Sequence, residues 1–69
     1  MQAWTPKPDL NRLLKNDIMV SMSAIEKHVG KLFHEYNPEL EREIWQAIDA
    51  NDTGMLREIR DILEDILTH

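Results

Sequence analysis

The residues whose types and spacing come nearest to a chemical site lie in the stretch Asp49-Ala50-Asn51-Asp52-Thr53-Gly54-Met55-Leu56. Oxygen-bearing side chains alternate at Asp49, Asn51 and Thr53, glycine follows the third of them, and an aliphatic residue stands at Leu56. Hard cations such as calcium bind oxygens presented in this way, and glycine permits the sharp turn such a loop needs. The position that should close the set with a bidentate carboxylate, the twelfth from Asp49, is instead Arg60. Using Glu58 in its place would shorten the loop by two residues. The same letters also describe a turn in which Asp52 or Thr53 caps a following helix. Capping is therefore the expected role, and no metal ligand is assigned.

Asp49 to Leu56 resembles the opening of an EF-hand calcium loop. The resemblance covers one short stretch, fails at Arg60, and lacks the second hand with which such loops normally pair. It implies at most a degenerate EF-hand-like helical pair, which stands as an alternative function. Ala47 to Glu58 is similar to the helix-turn-helix of an ankyrin repeat, but it occurs once and lacks the Thr-Pro-Leu-His signature. A single copy cannot build a solenoid. Taken as a DNA-reading helix-turn-helix, residues 38–67 would present Glu58, Asp61, Glu64 and Asp65 to phosphates, which repel them.

Other reactive side chains do not assemble by spacing. His28 and Glu35 are seven apart with Asp17 further along the same face, but no second histidine joins them at helical spacing, His34 points elsewhere, and His69 is terminal. No nucleophile with its base and orienting partner can be built, and there is no glycine-rich phosphate loop. The chain has no cysteine, which excludes disulfides and thiolate metal sites. The expectation is a protein that is not an enzyme and uses no cofactor.

Charge is distributed unevenly over the 69 residues, whose net is -5. Residues 1–34 set Lys7, Arg12, Lys15, Lys27 and Lys31 against Asp9, Asp17 and Glu26, a net of +2. Residues 35–69 set three arginines against ten acids, a net of -7. The acids can simply be the solvated faces of two short helices. Alternatively they meet a basic partner, or the basic half of a second copy. No apolar run reaches membrane-spanning length, and the opening residues lack a secretory pattern, so a cytoplasmic location without membrane contact is expected.

The elements that would carry these residues are helical. Pro6 and Pro8 mark residues 1–8 as an irregular arm, with Trp4 a large aromatic that either packs on its own domain or anchors a partner. Asp9, or Asn11 in competition with it, caps a long helix over about 10–36. Its stripe Ile18, Met22, Ile25, Val29, Leu32, Tyr36 runs in steps of 4, 3, 4, 3, 4. Such a rod is about 40 Å long, against a radius of gyration of about 11 Å for a compact chain of this size. Two features argue for interruption: the capping-box spacing of Ser23 and Glu26, which would place a break near Ser21–Ser23, and Gly30, which costs about 1 kcal/mol inside a helix. The stripe continues in phase through both, and a continuous or slightly kinked helix is predicted.

Asn37-Pro38 is the strongest punctuation, with Asn37 as cap and Pro38 at the first helical position. A second helix over about 38–50 buries Leu40, Ile44, Ala47 and Ile48, with Trp45 at the edge. A third over about 54–67 buries Leu56, Ile59, Leu63 and Ile66, joined by Met55, Ile62 and Leu67. The predicted architecture is all-α: one domain over 9–69, with the two shorter helices folded back on the long one.

Leu13, Val20 and Ala24 fall nearly opposite the main stripe, so the long helix is apolar on two sides and must be covered on two sides. That surplus predicts a helical homodimer. The self-association candidates are Ile18, Met22, Ile25 and Val29, or the opposite patch of Leu13 and Val20; Asp61, Glu64 and Asp65 are candidates for a basic protein surface. The expected function is that of a small acidic protein-protein interaction or regulatory protein acting as an adaptor, inhibitor or modulator. A nucleic-acid-associated dimer using the basic first half is the other alternative; direct binding by the acidic half is not expected, since phosphate contacts depend on neutralising positive charge.

Overall fold

A computed structural model describes residues 9–69, which form four helices and, among the described residues, no strand. These are α1 (Leu10–Val29), α2 (Phe33–Tyr36), α3 (Pro38–Ala50) and α4 (Thr53–Thr68). The arm over residues 1–8, with Trp4, lies outside the described residues.

The first helix begins where its cap was expected: the Asp9 carboxylate accepts from the Arg12 backbone N–H at 3.3 Å. It runs unbroken through Ser21–Ser23. It ends at Val29 rather than at Tyr36, so the single rod over about 10–36 is corrected to two helices, and the count of three to four. The terminator is Gly30, in the left-handed region at φ 73°, whose N–H donates to the Glu26 carbonyl at 2.8 Å. Glycine adopts that conformation without the Cβ clash that other residues meet, which makes it a natural helix stop.

The chain then re-enters a helix for one turn. The Phe33 N–H, at the start of α2, donates to Glu26 Oε2 at 2.7 Å, so a side chain of α1 caps the next element. The bend carries Phe33 into the core and turns Leu32 outward. Tyr36 keeps an edge-to-face contact with Phe33, centroids 5.6 Å apart, while lying at the surface.

Asn37 Oδ1 accepts from the Leu40 N–H at 3.1 Å and Pro38 occupies the first helical position, so α3 starts as its sequence dictates. It stops at Asn51, left-handed at φ 54°, and Asp52 caps α4 by accepting from the Met55 N–H at 3.1 Å. Asparagine tolerates this region better than most residues with a side chain.

The core is continuous across all four elements: Leu14, Ile18, Met22 and Ile25 of α1, Phe33 of α2, Leu40, Ile44 and Ala47 of α3, and Leu56, Ile59 and Leu63 of α4. Val29, Ile48 and Ile66 pack partly buried against it. Fully burying an aliphatic side chain of this kind contributes about 1.5–3 kcal/mol relative to leaving it exposed. A polar tie joins the start of α1 to the α3–α4 turn. Asn11 Nδ2 donates to the Asn51 carbonyl at 2.8 Å, and the Thr53 hydroxyl donates to Asn11 Oδ1.

Candidate interaction surface

Burial sorts the self-association candidates into two groups. Ile18, Met22 and Ile25 are consumed by the chain's own core and are not presented to a second molecule, and Val29 packs partly buried against that core. The physical reason is the packing of α4 along this face of α1, with α2 also against it, while α3 packs on α2 and α4. The opposite patch remains outside: Leu13 is 51% exposed and Val20 61%. Leu10 and Met19 are also exposed on α1, and Ala24 is half-buried. Leu13 and Val20 are seven residues apart, two helical turns, so they stand in line along the axis.

The partner candidates Asp61, Glu64 and Asp65 are all exposed on α4. Asp61 is paired with its neighbour Arg60 at 3.2 Å, and Asp65 lies 3.4 Å from His69 Nδ1. Exposed pairs of this type contribute little. None of the three lines the grooves on α3 and α4 described below.

Burial also reveals a feature that the sequence reading did not isolate. Between α3 and α4 runs a groove of about 300 Å³, with Met55, Ile59 and Ile62 as its apolar lining and Glu43, Gln46 and Glu58 at its polar edge. Ile59 is buried, whereas Met55 and Ile62 are 38% and 42% exposed. The signal that could have found it is the width of the apolar face of α4, where Met55 and Ile62 flank the Leu56-Ile59-Leu63 row. A larger open trough of about 710 Å³ follows Pro38, Trp45 and Ile48, but its walls among the described residues all belong to α3.

The oxygen-rich stretch at the α3–α4 junction is folded as a turn of two residues, Asn51 and Asp52, between one helix ending at Ala50 and another starting at Thr53. The side chains of Asn51, Asp52 and Thr53 are engaged in the Asn11 tie and in the α4 cap. This leaves no twelve-residue loop of the kind that wraps calcium. Among the described residues, no group of three His, Cys, Asp or Glu side chains is arranged to hold a metal ion. No helix of the described residues is long and apolar enough to cross a membrane.

No protein-family model matches the chain, and no curated protein or solved structure matches it either.

Proposed function

We propose that this chain is a small non-enzymatic interaction or regulatory protein that acts as a homodimer, joined through the outer face of α1. The observation that carries the reading is the Leu13–Val20 strip, exposed on a helix whose other face is already filled by its own core. An antiparallel pairing of two copies about an axis near Asn16 and Asp17 sets Leu13 of each opposite Val20 of the other. The same patch is then used on both subunits, as closed two-fold pairs require. The size of the chain adds support, since a core of eleven buried side chains among the described residues leaves stability to be gained from association. The acidic second half stays outside this contact, available to a basic protein surface.

Sedimentation equilibrium tests the reading. The wild-type chain is expected as a dimer at tens of micromolar, and Val20→Asp as a monomer with an unchanged helical circular-dichroism spectrum. Val20→Asp sets a carboxylate against the apolar Leu13 of the other copy and adds to the negative charge of the Asp17 pair near the axis, at a cost of about 1–3 kcal/mol of association, roughly tenfold or more in affinity. A wild-type chain that sediments as a monomer, or a Val20→Asp variant that still dimerises, removes the α1 interface.

A further inference from the structure

We infer that the α3–α4 groove is a docking site for a basic amphipathic helix of a partner protein, separate from the α1 strip. The groove offers the three things such a helix needs. Its lining is apolar and partly open, with Met55 and Ile62 exposed on either side of the buried Ile59. Met55 and Ile62 are seven residues apart, about 10.5 Å along the axis, so the site accepts anchors in the i, i+3/i+4, i+7 pattern by which helices seat in grooves. Among the described residues, the charged side chains at its edge are Glu43 and Glu58, both exposed, and neither forms an ion pair there.

Charge decides the sign of the occupant. Residues 38–69 carry nine acids against Arg42, Arg57 and Arg60, so the field around the groove is negative beyond its own two glutamates. An acidic or neutral helix would meet repulsion or no guidance, whereas lysines or arginines flanking its apolar anchors would pair with Glu43 and Glu58 and be steered on approach. The alternative occupant is α1 of a second copy, whose outer face bears Leu13 and Val20 with Arg12 and Lys27 near them. No residue of α1 lines the groove, so strip and groove are different patches of the surface. A strip-in-groove contact is thus heterologous, and unless its rotation closes a ring it adds copies without end.

The probe is a fluorescent 18-residue peptide of leucines at i, i+4 and i+7 with lysines elsewhere, titrated with the full chain and read by anisotropy. Ile62→Asp is expected to weaken binding tenfold or more, and the Glu43→Gln/Glu58→Gln pair by threefold or more at low salt. The pair Asp61→Asn/Glu64→Gln, which removes equal charge from α4 outside the groove, is expected to change binding less than twofold. A peptide with glutamate in place of lysine should not bind. The assignment is overturned if the two charge-removal pairs weaken binding equally, which means attraction to the whole protein. It is also overturned if Val20→Asp rather than Ile62→Asp abolishes peptide binding, or if Ile62→Asp abolishes self-association, which gives the groove to a second copy. Circular dichroism of each variant verifies the fold, and Met55→Glu serves as the second groove variant should Ile62→Asp unfold. Loss of the dimer in Val20→Asp with peptide binding intact separates the two surfaces.

Discussion

At the scale of single residues, the fold turns on Gly30 and on the carboxylate four residues before it. At Gly30 an added Cβ would meet nothing within 4 Å, so the cost of replacing it is confined to the backbone. Gly30→Ala is expected to destabilise by about 1–2 kcal/mol, the cost of holding an L-residue in the left-handed region. In urea this appears as a lower midpoint at unchanged slope. Glu26 has a different role: its carbonyl closes α1 and its carboxylate caps α2. Glu26→Ala leaves the partly buried Phe33 N–H without that acceptor, at a cost of about 1–3 kcal/mol, whereas Glu26→Gln keeps an oxygen there and should lose less. Thermal melts of the two variants check the order. Equal losses would mean that the hydrogen bond contributes nothing beyond the charge of Glu26.

At the scale of elements, the fold divides into a first helix and an acidic α3–α4 hairpin, tied by the Asn11–Asn51–Thr53 hydrogen bonds where the start of α1 meets the hairpin turn. Asn11→Ala removes both the donor and the acceptor of this tie. A loss of about 1 kcal/mol is expected, with faster hydrogen exchange at the start of α4; exchange that stays unchanged would show docking by apolar burial alone. The hairpin was legible because its signals are local. Asn37-Pro38 and Asp52 act within a turn of themselves, and the rows Leu40-Ile44-Ala47 and Leu56-Ile59-Leu63 are buried as their spacing implied. The end of α1 was less legible because apolar spacing continues in phase past Gly30, so periodicity alone extends the helix to Tyr36. Lys27, His28 and Gly30 do form a helix-stop pattern of basic last turn and glycine. The cap that makes the break stable, Glu26 to the Phe33 N–H, spans seven residues and two elements. Such a contact is set by tertiary geometry. The groove escaped the sequence for a similar reason: Met55 and Ile62 have the spacing of core residues, and only the placement of α3 against α4 leaves them half-covered.

At the scale of the whole molecule, the folded-back chain decides between the two faces of α1 that could have met a partner: it keeps Ile18, Met22 and Ile25 in its own core and leaves Leu13 and Val20 outside. The proposed homodimer therefore depends on a smaller strip than the sequence suggested, and its contribution is best read through stability. If the native species is a dimer that dissociates on unfolding, each tenfold rise in chain concentration stabilises it by about 1.4 kcal/mol per dimer. Shared between the two chains that unfold together, about 0.7 kcal/mol each, that shift corresponds to roughly 3–6 °C in Tm. Melts of the wild-type chain from a few micromolar to hundreds of micromolar should show this rise, and melts of Val20→Asp should superimpose at all concentrations. A wild-type Tm independent of concentration would mean that the core of α1 to α4 holds the fold alone, leaving the Leu13–Val20 strip without a partner copy to explain it.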